Sequence, residues 1–320
     1  MALSRRTLLA AAAGTALAGC APTPGAQPPT AAPPTTATTP TTAPPAPALT
    51  PTPTPAPTSA PAPIPTPPAT PTHAPTPTPT PSATLPTRAA VVARYGDAVP
   101  TAWGLDVPGV LTLLPAAAAP AVALTFDACG GSGGSGYDAA LIDTLRAHGV
   151  PATLFLNARW IDANRGVFDD LAADPLFEIA NHGTAHRPLS VTGRSAYGIA
   201  GTRDPGEVHD EIAGNLAKLT ALLGRPPRFF RSGTAHYDDV ATRIAADLGQ
   251  QVAGFSTNAD GGATLPAAQV RQELAGTAPG GIVIAHMNRP GSGTARGVAA
   301  ALPALLSAGR TFTRLSDALH

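Results

Sequence analysis

Residues 88–320 of this 320-residue chain are expected to form one α/β domain, with parallel strands inside and helices outside. Three observations predict it. Short apolar runs alternate with longer stretches of helical spacing, the pattern of units whose helical crossovers return each strand parallel to the last. Nearly every apolar run ends in a residue with chemical capacity: Asp127, Asn157, His182, Arg231, Ser256 and His286. Parallel α/β folds gather their sites at the carboxyl ends of the strands, where the loops converge on one crevice. Residues 21–87 show no periodic apolar face, so the domain begins where the composition changes. A barrel and an open doubly wound sheet both satisfy this pattern.

Residues 1–20 read as an export signal, with Arg5 and Arg6, an apolar run from Leu8 to Leu17, then small residues ending at Cys20. Ser4-Arg5-Arg6-Thr7-Leu8-Leu9 resembles a twin-arginine signal. Leu17-Ala18-Gly19-Cys20 resembles a bacterial lipobox, which implies cleavage before Cys20 and lipid on its sulfur. The apolar run falls short of the roughly twenty residues a membrane span needs. Residues 21–87 hold 25 of the 39 prolines and no Asp, Glu, Lys or Arg. Such a segment cannot bury enough apolar surface to fold. It reads as a disordered stalk between a membrane anchor and the working domain, about 200 Å long when fully extended. The expected location is the bacterial cell surface or periplasm.

Beyond the stalk, residues 88–120 are expected to pack as an N-terminal arm. Strands are expected at Val122–Phe126, Ala152–Leu156, Phe177–Ala180, Arg228–Phe230, Val252–Phe255, Ile282–Ala285 and Thr311–Thr313. Helices are expected at Tyr137–His148, Gly166–Ala173, Gly206–Leu223, Tyr237–Leu248, Pro266–Leu274 and Thr294–Ser307. Gly149 and Gly224 sit just past two of these helices, where a left-handed cap commonly ends the last turn. Without Arg5 and Arg6 the chain has 18 basic and 20 acidic residues, a formal charge of −2, and Lys218 is its only lysine. That balance argues against a nucleic-acid partner. With Cys20 committed to lipid, Cys129 has no second cysteine to pair with.

Asn181-His182-Gly183-Thr184-Ala185-His186 places two histidines four apart, expected on one side of a helical turn. Neutral imidazoles suit zinc and similar cations. Asp127, at the mouth of a strand, reads as a general base, a metal ligand or a cap for the next loop. His286 could return a proton to a leaving group, or simply satisfy a backbone carbonyl.

Thr125-Phe126-Asp127, the two-histidine motif, Phe229-Phe230-Arg231 and Ile282-Val283-Ile284-Ala285-His286 fall in the order and spacing of polysaccharide deacetylases. The chain thus resembles the NodB-homology, or carbohydrate esterase 4, family from about residue 120 to 318. The resemblance implies a distorted (β/α) barrel of about seven parallel strands. It also implies metal-dependent removal of N-acetyl, or sometimes O-acetyl, groups from peptidoglycan or chitin-like chains. By motif, Asp127 matches the general base, His182 and His186 the metal-binding histidines, Arg231 the arginine that orients the base, and His286 the general acid. The metal expected is a divalent ion, zinc first, and the protein is expected to be a monomer.

The chain departs from the family pattern at four places. The second aspartate, a metal ligand in the family, is replaced by Ala128. Gly183 stands where a Ser or Thr usually follows the first histidine. Ser232, Gly233 and Thr234 replace the prolines and aromatic after Arg231. Ser256-Thr257-Asn258-Ala259-Asp260-Gly261-Gly262 offers the late acid without its tryptophan. The third metal ligand is then sought, in order, among Asp127, His236 and Cys129, whose thiolate is an excellent zinc ligand. Trp160, Tyr197 and Tyr237 are candidate sugar-stacking aromatics.

Two other readings compete. The same fold could be a catalytically inactive, surface-anchored glycan-binding protein. Gly131-Ser132-Gly133-Gly134-Ser135-Gly136 meets the spacing of a dinucleotide-binding loop. That fingerprint expects an acid after the next strand, where Asn157 stands. The run reads better as a flexible lip over the site.

Overall fold

A computed structural model describes residues 85–319 except Ala119. The export signal, Cys20 and all but the last three residues of the stalk lie outside the described residues. The strands are β1 (Trp103–Gly104), β2 (Val110–Leu111), β3 (Val122–Ala128), β4 (Ala152–Leu156), β5 (Phe177–Asn181), β6 (Phe229–Phe230), β7 (Tyr237–Asp238), β8 (Gln251–Ala253), β9 (Thr257–Asn258), β10 (Ile282–His286) and β11 (Phe312–Thr313). The helices are α1 (Arg88–Tyr95), α2 (Ala139–Ala147), α3 (Ala158–Ala163), α4 (Arg165–Ala173), α5 (Pro205–Leu223), α6 (Asp239–Asp247), α7 (Ala267–Gly276), α8 (Thr294–Ser307) and α9 (Leu315–Ala318).

The main sheet has nine strands where about seven were expected, all parallel, with hydrogen-bonded order β2-β8-β6-β5-β4-β3-β10-β9 and β11 beside the start of β3. The two extra strands, β2 and β9, are two residues each, too short to carry a period. Among the described residues the ladder does not close directly between β8 and β10. The N-terminal arm spans that interval: Leu113 bridges Gly281, and the Leu114 N–H donates to Gly280 O at 2.8 Å. The result is a curled, incompletely closed α/β barrel. Elsewhere the arm pairs β1 antiparallel with β7 and lays α1 near α5, where Arg88 Nε meets Asp210 Oδ2 at 2.9 Å.

Local chemistry sets the helix ends. Asp138, Asp204 and Asp238 each accept a backbone N–H in the first turn of α2, α5 and α6, satisfying donors the helix itself leaves open. Pro205 follows the Asp204 cap at the start of α5, and Gly224 closes that helix at φ 71°, as a proline-first, glycine-last helix should.

Strand alternation separates two environments. Leu124, Phe126 and Ala128 face outward into an apolar layer shared with α2, α4, α7 and α8, while Phe230 and Val252 join a second layer with α5 and α6. Inward lie Ala123, Phe155, Ala180, Phe229, Ala253 and Ile282, packed on Leu315 of α9. Below them Glu178 accepts from Thr153 Oγ1 at 3.0 Å and from the Ser316 N–H at 3.1 Å. These bonds tie α9 across the amino end of the barrel.

Candidate active site

At the carboxyl end the inward alternation delivers Asp127, Arg231 and His286. Asp127 and His286 are register partners on adjacent strands β3 and β10, so their side chains emerge side by side. Arg231, just past β6, is fully buried. Its Nη1 donates to Asp127 Oδ1 at 2.7 Å and to Thr125 Oγ1 at 2.8 Å; Nε and Nη2 donate to the carbonyls of Ala253 and Gly254 at 3.0 and 2.9 Å. Its guanidinium lies 4.1 Å from the Phe155 ring centroid. Held on every side, Arg231 fixes Asp127 with one oxygen engaged and leaves Oδ2 facing the pocket, 3.7 Å from His182 Nε2. Burial alone would raise the Asp127 carboxyl, but the charges of Arg231, His182 and His286 more than offset it and hold it below its ordinary value.

His286 is the opposite case. Its Nδ1 lies 3.0 Å from Asp260 Oδ1, and its backbone N–H donates to Asp260 Oδ2 at 2.7 Å. Thr294 Oγ1 donates to the same oxygen at 2.9 Å. Burial alone would lower this imidazole, but its hydrogen bond to the Asp260 carboxylate, with Cys129 nearby, raises it well above its ordinary value. The pocket therefore sets a carboxyl biased toward its ionised form beside an imidazole biased toward its protonated form.

Cys129, His182 and His186 form the third group. Their ligand atoms all lie within 4.8 Å of one another. His182 Nδ1 donates to Arg231 O at 2.9 Å, which turns the Nε2 lone pair toward Cys129 Sγ, 3.9 Å away. His186 Nε2 is buried with no hydrogen-bond partner. An orphaned imidazole nitrogen, a second one oriented by its ring partner and a thiol make a donor set that fits a divalent metal. Burial alone would raise the Cys129 thiol, but the imidazoles of His182, His186 and His286 hold it well below its ordinary value.

The histidine motif is not a helical turn. His182 and His186 lie in irregular chain after β5, and His186 sits at φ 63° in the left-handed region. The loop is organised by the buried carboxylate of Glu211 on α5, which accepts from Ala185 N at 2.9 Å and Arg187 N at 3.2 Å. Asn157 donates to the carbonyls of His182 and Gly183 at 2.9 and 2.8 Å. Gly183 has φ 75°, and a Cβ there would lie 2.4 Å from Glu211 Oε1; one on Gly233 would lie 2.4 Å from the His186 backbone. The departure at position 183 is thus a requirement of this loop. Gly183→Ala is expected to cost about 1–3 kcal/mol of stability and to weaken metal binding, read by denaturant unfolding and metal titration. Unchanged values in both would contradict this account of the loop.

His236, placed ahead of Cys129 on sequence grounds, stands outside the compact ligand set. Its Nδ1 lies 2.8 Å from Thr234 O, and its ring packs 5.8 Å from Trp103 and 5.1 Å from Tyr197. Trp160 and Tyr237 are fully buried, with Trp160 Nε1 donating to Gly136 O at 2.7 Å and the Tyr237 hydroxyl accepting from Ser232 N at 3.1 Å. They are core, not platform. Tyr197 is 76% exposed and lines the same cavity of about 650 Å³ as Asp127, Cys129, His186 and His286.

The glycine run after β3 also borders this cavity, through Ser132 and Gly134. It is tied down by Asn288 Nδ2 to Gly134 O at 2.9 Å and by the Gly130–Gly134 turn. α2 starts later, at Ala139 with Asp138 as cap. The run therefore does not open a helix as a dinucleotide fingerprint must. Sequence reasoning overlooked Glu211 and left Asp260 without a partner. Asp260 was visible as an acid in the right region, but nothing local to Glu211 signals its role.

Residues 116–253 match the family model described as polysaccharide deacetylase, a stretch that holds Asp127, Cys129, His182, His186 and Arg231. This stretch, 138 of the chain's 320 residues, is similar to that family. Three solved structures share the fold at TM-score 0.53. A CE4 family pseudoenzyme from Bacillus anthracis is 21% identical over 63% of this chain and 66% of its own, just under two thirds. The Bc1960 peptidoglycan N-acetylglucosamine deacetylase is 21% identical over 64% of this chain and 90% of its own. PdaA, a family 4 carbohydrate esterase from Bacillus subtilis, is 18% identical over 72% and 88%. No curated protein sequence matches the chain.

Proposed function

We propose that the protein is a metal-dependent hydrolase that removes acetyl groups from an extracellular polysaccharide, peptidoglycan or a chitin-like chain. One observation carries this reading: Asp127 and His286, register partners on adjacent strands, face one pocket beside two imidazoles suited to a metal. The environments push the two groups in opposite directions, Asp127 down and His286 up, as a general base and a general acid require.

A divalent ion held by His182, His186 and a third donor would polarise the acetyl carbonyl and acidify a bound water. The rest falls to this chain's own side chains. Asp127 Oδ2 takes the proton of the attacking water, while Arg231 keeps the other oxygen engaged and the carboxylate aimed. His286 protonates the departing amine or alcohol, and Asp260 balances its charge and fixes its ring. Tyr197, exposed at the cavity wall, offers a sugar ring an apolar face. Export on a lipid anchor at Cys20, with residues 21–87 as a stalk, would place this monomeric domain within reach of the cell wall.

The direct test is acetate release from acetylated glycan before and after metal removal. Activity should disappear on chelation and return with zinc. Glycan binding without acetate release at any metal loading would favour the non-catalytic reading, which similarity to a pseudoenzyme brings into view.

The Asp260–His286 pair adds a pH prediction. An imidazolium beside an anion is harder to deprotonate, so His286 stays acidic to higher pH than an isolated histidine. In Asp260→Asn that anion is gone, and the proton leaves at lower pH. The alkaline limb of the kcat profile should therefore move to lower pH. An unmoved limb, or one displaced upward, would show that His286 is not the acid.

A further inference from the structure

We propose that Cys129, as a thiolate, is the third protein ligand of the metal, in place of the second carboxylate that this chain lacks. The argument is one of strand alternation. Asp127 points into the barrel from β3, so Ala128 points out, and it is buried in the outer apolar layer. An acid at 128 in this conformation would enter that layer unpaired, at high cost. The next inward position is Cys129. Its Sγ lies 3.9 Å from His182 Nε2 and within 4.8 Å of a ligand nitrogen of His186. The His186 Nε2 has no other partner, and the His182 Nδ1 hydrogen bond to Arg231 O leaves its Nε2 for the same point. Asp127, with one oxygen on Arg231, is left to serve as base. As the sulfur–metal bond forms, the Sγ–H proton passes to solvent, and no redox change occurs.

A thiolate with two imidazoles selects borderline and soft cations, zinc or cobalt, over magnesium and calcium. The inference shares its metal bed with the proposed hydrolase but is tested separately from it. Load the metal-free full chain with Co(II) and record its spectrum. The expected result is one Co(II) per chain, with a near-ultraviolet thiolate-to-cobalt charge-transfer band that a hundredfold excess of Mg(II) leaves intact. Cys129→Ser should lose the band and bind Co(II) more weakly by about 100-fold or more. Cys129→Asp should retain the metal without the band, which separates loss of the ligand from loss of the fold. Stoichiometric Co(II) without the band, or a band that survives in Cys129→Ser, overturns the proposal. Acetate release without the band leaves the hydrolase reading standing and this one fallen; the band without acetate release does the reverse.

Discussion

Asp127→Asn is expected to lower kcat by about 10²- to 10⁴-fold, the usual range for loss of a general base, with the domain still folded and still able to bind metal. The amide Oδ1 can accept the Arg231 Nη1 bond that Asp127 Oδ1 accepts now, and the guanidinium keeps its bonds to Thr125, Ala253 and Gly254. What is lost is the pocket-facing oxygen's ability to take a proton. Steady-state kinetics on an acetylated oligosaccharide, with circular dichroism and metal analysis on the same sample, checks this. Near-normal turnover would remove Asp127 from the chemistry.

The largest stability effect should come from Arg231→Leu. Both partners of the pair are buried and lie 2.7 Å apart. Removing one leaves an uncompensated charge in a dry interior, a loss of about 3–5 kcal/mol. The proton linkage has a definite sign. In the wild type the Arg231 guanidinium, against the effect of burial, holds the Asp127 carboxyl below its ordinary value. Its contribution to stability is complete above that value and is lost as pH falls through the lowered one. In Arg231→Leu burial persists without the main offsetting charge, so the Asp127 carboxyl should titrate higher. The acid limb of the activity profile should move upward in pH, and the destabilisation should shrink as the solution is acidified and Asp127 becomes neutral. Denaturant unfolding across pH reads this out. A variant as stable as wild type at neutral pH would show that Arg231 is not the buried counter-charge.

Much of the fold was legible because parallel barrel strands are apolar runs of four to seven residues bounded by clear helix signals. All seven strands expected overlap observed elements within two residues at either end: β3, β4, β5, β6, β8, β10 and β11. β1, β2, β7 and β9 were not legible, since two residues carry no period and their pairing is decided by the chain they lie against. The site was legible in outline for one reason: a chemical residue just past a buried strand must face the mouth or be capped. The proposed third ligand was not, although the signal was present. Two residues on from Asp127, alternation turns Cys129 to the same side, and a count of two from Asp127 would have ranked it above His236. The irregular loop of His182 and His186 could not be read locally. Its shape depends on Glu211, twenty-five residues beyond His186 on α5.

The most direct test of the central claim, that a carboxylate base and an imidazolium acid work across one metal-bearing pocket, is a product count. Zinc-loaded protein is incubated with an N-acetylated glycan, and free amine and acetate are quantified together. Equal amounts of the two, rising with time and absent in Asp127→Asn, are expected. A protein that holds zinc and glycan yet releases neither product would contradict it.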